Sequence, residues 1–374
     1  MRARFASWFV CSALIACSSA AEDPRPDEWL ASSATACKPP RLTPSNLPAN
    51  ICDIAGTKEL NVASGTSLRI DPGGTCDALV PQGDGLPPIC VLKYANVSID
   101  GLLQLQPPLD APRSPAVAIV ATHAFSVTGT VDASGQYMDS PLRGSVGPGG
   151  SDSRGEAPAD TGKGAGHVTV GGGTPGSDVG GAAFGPTTGA QLVAGSSGAQ
   201  GVGLGVAWPG FPGMAGGAVQ LVACGDLTLS GNVSAQGSNG FEGGMSINAP
   251  ASGGGGGSGG TIVIEARHIV SSNANLLAIG GTGGAGGALY MEAPPVYVGG
   301  GRGGAAGTGS NPPEAGQSSG GLQQCGPDGC TTIYGAYGGG GGSVGRIVIN
   351  VPRGESVPTI GSDPPASIGV VGTH

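Results

Sequence analysis

The chain has few aromatic and few charged residues. Aromatics make up 4% and charged residues 11% of its 374 residues. A compact enzyme usually has more large side chains to bury, so we expect a narrow core of Val, Ile, Leu and Ala. Beyond the N-terminus no run of 18 apolar residues occurs, which argues against a transmembrane helix. The formal net charge is −9 without a Lys/Arg cluster, which argues against nucleic acid and anionic lipid surfaces as partners.

Glycine is abundant, with 76 residues. It follows no strict three-residue period, which excludes collagen. Glycine is concentrated in three insertions, at 136–216, 238–260 and 281–346. They are either flexible low-complexity loops that bury too little to become ordered, or extended polyglycine-type segments that lie together on one side. In the second case glycine would be needed for close backbone approach.

One stretch of alternating apolar and polar residues occurs twice. VAIVATHAFSVTGTVDASG at Val117–Gly135 returns as VQLVACGDLTLSGNVSAQG at Val219–Gly237, with seven identities. The two-residue period is that of a half-buried strand. The two copies indicate a repeat architecture.

The spacing of this unit finds further copies. Ile89–Pro107 aligns with it, and Ile262–Gly280 and Ile347–Val351 follow later. Before them, Leu60–Asp71 aligns with residues 89–100, which places Asp71 under Asp100. About six units result.

A recurring unit of short strands with its apolar positions in columns predicts an all-β fold, a parallel β-helix of about six coils with long glycine-rich insertions. Single coils cannot bury their inward side chains, whereas stacked coils can. An antiparallel sandwich is the alternative, but its hairpin signals do not separate the copies regularly. The predicted inward residues are Val117, Ile119, Ala121, Phe125, Val127, Val131 and Ala133.

Residues 1–16 have the features of a secretory leader, with Arg2 and Arg4 before a short apolar run. The leader ends in Leu14-Ile15-Ala16-Cys17, which resembles the lipobox of bacterial lipoproteins. That resemblance implies that Cys17 carries the lipid, and Ser18 after it implies the outer membrane. The alternative is an ordinary leader cleaved after Ala20 or Ala21.

The expected domain order follows from composition. Residues 17–59 are predicted to be the lipid anchor, a tether and, around Cys37 and Cys52, a cap over the first coil. The glycine-rich β-helix domain spans 60–351, and 352–374 are a flexible tail rich in Pro and Ser.

Export makes disulfides expected. Proximity in the sequence favours the pairs Cys37–Cys52, Cys76–Cys90 and Cys325–Cys330, which leaves Cys224 unpaired. A zinc site needs about four ligands, and the four histidines are scattered, so we expect neither a metal nor another cofactor.

Chemistry on a polysaccharide would need two carboxylates a few ångströms apart on neighbouring coils. Asp71 and Asp100 are the only candidates, and both precede glycine-bearing bends, where Asp commonly binds the turn backbone. The other outward positions are mostly neutral Ser, Thr, Asn and Gln, with Asp132, Leu102 and Leu277 among them, and such a face suits sugar binding or simple solvation.

The mature chain resembles the glycine-rich right-handed parallel β-helix lipoproteins that some bacteria carry on their surface. The lipobox, the unit ending in VDASG or VSAQG, and the runs SGGTIVI (258–264) and SVGRIVI (343–349) carry the resemblance. It implies a lipid-anchored envelope protein with a structural or adhesive role and no enzymatic activity. A surface polysaccharide or another envelope protein is the expected partner. The alternative is a protein that binds or cleaves polysaccharides.

Overall fold

The computed structural model of the chain describes residues 41–74, 76–83, 85–107, 114–137, 144–145, 162–184, 191–203, 207–246, 250–292, 295–298, 302–319, 322–326, 329–333 and 335–374. The leader at 1–16, the lipidation residue Cys17 and the cysteine Cys37 lie outside the described residues.

The described residues form 26 strands and contain no α-helix. In chain order these strands are β1 (Leu42–Thr43), β2 (Glu59–Val62), β3 (Ser67–Ile70), β4 (Ala78–Val80), β5 (Ile89–Tyr94), β6 (Asn96–Ile99), β7 (Leu102–Leu105), β8 (Ala116–Ala121), β9 (Phe125–Val127), β10 (Thr130–Asp132), β11 (Gln136–Tyr137), β12 (Gly144–Ser145), β13 (Gly172–Thr174), β14 (Ser177–Val179), β15 (Ala218–Leu229), β16 (Asn232–Ser234), β17 (Thr261–Ser271), β18 (Asn275–Leu277), β19 (Leu289–Glu292), β20 (Pro295–Val298), β21 (Leu322–Gly326), β22 (Gly329–Ile333), β23 (Arg346–Val351), β24 (Gly361–Asp363), β25 (Ser367–Val370) and β26 (Gly372–Thr373).

Ten strands form a large sheet. Its main order is β2-β6-β9-β15-β17-β23-β25, and β8, β5 and β4 extend it from β15. All its pairs are parallel except β4–β5. The long strand β15 pairs with β8 through its first half and with β9 through its second half.

Six strands form a small sheet in the order β24-β18-β16-β10-β7-β3, and all its pairs are parallel. A glycine precedes β7, β10 and β16 at the bend from the large sheet. A Cβ on Gly129 would lie 2.1 Å from the Gly101 carbonyl oxygen, and one on Gly231 would lie 2.0 Å from the Gly129 oxygen. Glycine therefore allows the bends to stack directly.

The main core joins the two sheets. One buried cluster contains Phe125 and Val127 of the large sheet together with Val131 of the small sheet. The predicted inward residues all belong to this cluster, which confirms that part of the repeat alignment. The alignment of Val117 with Val219 is confirmed as well.

The other face of the large sheet is also buried, which the alternating pattern did not predict. A second cluster contains Ala118, Val120 and Val222 and is covered by Leu42 and Leu47. Strands buried on both faces are expected to be continuously apolar, as AVAIVA in β8 is. The N-terminal segment therefore contributes side chains to the cover of the sheet's outer face, which corrects the predicted cap over the first coil.

The glycine-rich segments form a hydrogen-bonded layer. Successive residues donate to different neighbouring segments, and each neighbour returns at every third residue. A period of three is that of polyproline II, which has no hydrogen bonds within its own chain. In one segment, Gly338 and Gly341 donate to residues 314–317, Gly339 and Gly342 to 281–284, and Gly340 and Ser343 to 162–165. Of the two interpretations of the insertions, their described parts follow the second.

The predicted right-handed parallel β-helix of about six coils is wrong, and the glycine-rich layer is part of the reason. Of the described strands, 16 lie in two separate, mainly parallel sheets, which do not close into a helix, and the other ten form two-stranded antiparallel sheets. The expected handedness is not confirmed. A closed coil would need a third strand or a short turn back to the large sheet. After β10, β16 and β18 the chain instead enters glycine-rich segments, whose described residues hydrogen-bond to one another.

Residues 352–374 are not the flexible tail that the sequence predicts. They contain β24, β25 and β26, which pair with β18, β23 and β1. The strands are ordered because the parallel sheets offer open edges at β18 and β23.

Candidate functional site

The predicted carboxylate pair does not come together. The sequence aligned Asp71 with Asp100, but the structure pairs Leu60 with Val97 and Ile70 with Leu105. Residues 60–70 thus supply strands β2 and β3, one to each sheet. Asp71 follows β3 and lies level with Gln106, six positions beyond Asp100 along the strand direction. Asp100 lies before β7, at the bend from the large sheet, whereas Asp71 lies beyond the other end of that strand, so the length of β7 separates them.

Each of these two carboxylates has local partners. The Gly73 N–H donates to Asp71 Oδ1 over 2.7 Å, which is the turn role expected for Asp before glycine. Asp100 accepts from the Thr128 hydroxyl over 2.5 Å and from the Ser98 hydroxyl over 3.2 Å. None of these three contacts involves a second carboxylate, which two-carboxylate catalysis requires.

The outward residues, which are mostly neutral, form rows across the small sheet, as their alignment predicts. One row is Leu102, Thr130, Asn232 and Asn275, and the next is Gln104, Asp132, Ser234 and Leu277. Some residues of these two rows, together with Ser134 and Gln236, line a shallow depression, which we call the polar groove. It is lined by Thr130, Asp132, Ser134, Asn232, Ser234, Gln236, Asn275 and Leu277.

Hydrogen bonds between side chains hold the polar groove. The hydroxyls of Ser134 and Ser234 lie 2.8 Å apart, and the Gln236 amide donates to Ser234 over 2.9 Å. Asp132 accepts from the Ser134 N–H over 3.0 Å and from the Gln136 amide over 2.6 Å. The groove therefore presents hydroxyl and amide groups that are fixed before any ligand arrives.

Two disulfides occur among the described cysteines. Cys76–Cys90 is bonded as predicted. Cys52 is bonded to Cys224, not to Cys37. The reason is tertiary, because Cys52 and Cys224 both lie beside the buried outer face of the large sheet. Cys325 and Cys330 face each other in the β21–β22 hairpin, but their side chains lie outside the described part of the structure.

Glu265 in β17 is a buried carboxylate that the sequence analysis missed. It is fully buried and accepts from the Gln220 amide over 2.7 Å and from the Asn350 amide over 2.8 Å. The Ser45 hydroxyl donates to it over 2.7 Å, and the Ser45 N–H lies 3.1 Å from its second oxygen. Glu265 thus fixes the N-terminal segment on the large sheet.

Arg346 and His167 are buried, and each has a side-chain nitrogen without a hydrogen-bond partner. Neither residue was singled out from the sequence. Arg346 begins β23 and is 7% exposed, and its Nη1 atom has no hydrogen-bond partner. Its register partner in β17 is the buried Thr261. A charged residue at an aligned position where the neighbouring unit has a buried residue is the sequence feature that could have indicated this site. Burial lowers the pKa of Arg346, but a guanidinium stays charged.

His167 is fully buried, and its Nδ1 lies 2.8 Å from the Gly259 carbonyl oxygen. Because a carbonyl only accepts, Nδ1 carries the hydrogen and Nε2 is an acceptor without a partner. Burial lowers the pKa of His167 to about 4, and the positive charge of Arg346 contributes in the same direction. His167 is therefore neutral near pH 7.

An apolar cleft lies beside Arg346. It has a volume of about 340 Å³ and is lined by Val168, Phe184, Val344, Pro364, Pro365 and Ser367, among others. The Phe184 ring also packs against His167, with the ring centroids 5.0 Å apart. A single cation in an apolar cleft is suited to holding a single negative charge.

Within the described ranges, no group of three His, Cys, Asp or Glu residues could hold a metal ion. The same ranges contain no helix that is long and apolar enough to cross a membrane.

Comparison of the chain with protein-family models, curated proteins and solved structures finds no match.

Proposed function

We propose that this protein is a non-enzymatic, lipid-anchored protein of the bacterial envelope with a structural or adhesive role. Its polar groove would contact a neutral surface polysaccharide or another envelope protein. The observation that carries the proposal is the hydrogen-bonded group of hydroxyl and amide side chains of Ser134, Ser234 and Gln236 in the polar groove. Such groups hydrogen-bond sugar hydroxyls without needing charge.

Two further observations support parts of the proposal. The disulfides Cys52–Cys224 and Cys76–Cys90 suit an oxidising compartment outside the cytoplasm. The separation of Asp71 from Asp100 argues against the alternative in which these two residues cleave a polysaccharide.

The groove is tested with purified residues 18–374 and a panel of neutral and acidic polysaccharides that includes the producer's own. Retention and new reducing or unsaturated chain ends are both measured. We expect retention without new ends. We also expect Asn232→Leu, which puts an apolar side chain in the groove, to abolish it. Thr228→Leu is the matched control, because Thr228 is exposed on the large sheet outside the groove.

Other outcomes would change the proposal. New chain ends would make the protein an enzyme. No retention would exclude the tested glycans and leave a protein partner as the object of an adhesive role. Equal loss of retention in both variants would show that the groove is not the contact.

The lipid anchor is tested by cell fractionation. We expect Cys17→Ser to move the protein from the membrane fraction to the soluble fraction. Cys11→Ser, which changes the other cysteine of the leader, should leave it in the membrane fraction. If Cys17→Ser stays in the membrane fraction, the lipobox interpretation is wrong.

A further inference from the structure

Arg346 is a buried cation without a partner in the described part of the chain. Arg346 is one of the residues that line the apolar cleft, and no described carboxylate forms an ion pair with it. The described ion pairs of other side chains, such as Arg41–Asp53, lie elsewhere at partly exposed positions. An unpaired charge is costly to bury, so an anion entering the cleft would remove that cost.

The cleft has the size and the walls of a small-molecule site. Its volume of about 340 Å³ is near the lower end of the range for ligand pockets, which is about 300–1,000 Å³. Its walls are mainly hydrocarbon from Val168, Phe184, Val344 and the two prolines, and Ser367 adds a hydroxyl. A ligand that fits must combine one polar end with an apolar body.

The charge of the site selects a monoanion. Among the described residues that line the cleft, Arg346 alone carries a charge. His167 behind Phe184 is neutral near pH 7 and adds no positive charge. A dianionic phosphate would keep one charge uncompensated in an apolar surrounding. A carboxylate carries one charge and has two oxygens that match the two N–H groups of a guanidinium edge.

We propose that the cleft beside Arg346 binds a small organic monocarboxylate. The guanidinium of Arg346 pairs with the carboxylate, and the apolar walls contact the hydrocarbon part of the ligand. This site is separate from the polar groove, and its existence does not depend on the proposed adhesive role.

The proposal is tested by calorimetric titration of the purified protein with phenylacetate, phenylacetamide and phenyl phosphate at pH 7. We expect saturable binding of phenylacetate. We expect binding at least about 10-fold weaker for the uncharged amide, because it cannot form the charge-assisted pair with the guanidinium. Phenyl phosphate should also bind more weakly than phenylacetate. This comparison needs no variant.

Variants then locate the binding. Arg346→Met removes the charge at similar length and should weaken phenylacetate binding at least about 10-fold, while making the free protein no less stable. Arg353→Met changes an exposed arginine seven positions on and should bind as the wild type does.

Several results would overturn the proposal. If phenylacetate and phenylacetamide bind equally well, the cleft does not recognise the negative charge of the ligand. Phenyl phosphate binding more tightly would exclude the monoanion class, and no saturable binding of phenylacetate would exclude a site for it. If Arg346→Met binds as the wild type does, Arg346 is not the partner.

Discussion

Cys52 and Cys224 form a disulfide with 5.5 Å between their Cα atoms, although 172 residues separate them in the chain. The bond connects the segment after Leu47 to β15 of the large sheet. The bond lies next to the second buried cluster. The N-terminal segment that covers the outer face of this sheet is therefore an integral part of the fold.

The double variant Cys52→Ala/Cys224→Ala is expected to lower the free energy of unfolding by about 5 kcal/mol, because the lost cross-link closes a long loop in the unfolded chain. The Cys76–Cys90 disulfide closes a loop with a sequence separation of 14, so the double variant Cys76→Ala/Cys90→Ala is expected to cost about 3 kcal/mol. Denaturant titration of the two double variants checks the order. A larger loss from the short loop would show that strain or residual structure outweighs loop entropy.

Gly255→Ala is expected to destabilise the protein by about 3 kcal/mol or more, because there is no space to relieve the overlap. An added Cβ would lie 1.8 Å from the Lys163 carbonyl oxygen, and the Gly255 N–H donates to Ala199. Gly83→Ala is the control, since nothing lies within 4 Å of its added Cβ. Thermal unfolding compares the two. Equal behaviour would mean that the glycine layer is not closely packed in solution.

His167 is expected to make the protein less stable in acid. Its pKa of about 4 in the folded state lies below the ordinary value of about 6.5 in the unfolded state. Between these values the unfolded chain binds more protons, so the free energy of unfolding falls as pH falls from 6.5 towards 4. The full effect of this group is about 3 kcal/mol.

The measurement for His167 is denaturant unfolding at several pH values between 4 and 7. His167→Asn keeps a donor for the Gly259 carbonyl but does not titrate, so its stability should fall less steeply with acid. His123→Asn, at an exposed histidine, should keep the wild-type slope. If the free energy of unfolding falls equally steeply with acid in the wild type and both variants, His167 is not the group responsible.

Glu265→Gln is expected to cost about 2–4 kcal/mol. The new amide hydrogens would face the donors of Ser45, Gln220 and Asn350, and one buried donor would lose its acceptor. Glu242→Gln changes an exposed glutamate and should stay within about 0.5 kcal/mol of the wild type. Protease cleavage near residue 45 is a second readout, because the N-terminal segment should detach more readily in Glu265→Gln.

The repeat alignment predicted local pairings better than it predicted their global arrangement. Val117 lies beside Val219 and Val131 beside Val233, as aligned. The alignment is one residue off at β5, where Cys90 and not Ile89 lies beside Val117. Alternation sets which face a residue takes, but here both faces of β5 are buried, so alternation carries little information about register.

For the candidate sites, too, the sequence predicted local pairings but not contacts between distant segments. The rows of the polar groove were predictable, because parallel strands bring equivalent positions of successive units side by side. The Arg346 cleft was not predictable, because its lining comes from separate segments around Val168, Val344 and Pro364. These segments meet only through the glycine layer and the last strands.

The sequence by itself determined that the repeated units of this protein form parallel strands around a narrow aliphatic core, because two-residue alternation and repeated columns are local properties of the chain. Only the tertiary structure decided that the strands form separate sheets, that Cys52 finds Cys224, and that residues 352–374 complete the sheets. The physical reason is that glycine backbones have no side-chain pattern to reveal their partners. Their hydrogen bonds run to segments that are distant in sequence, and these contacts fix where the strands between them can lie.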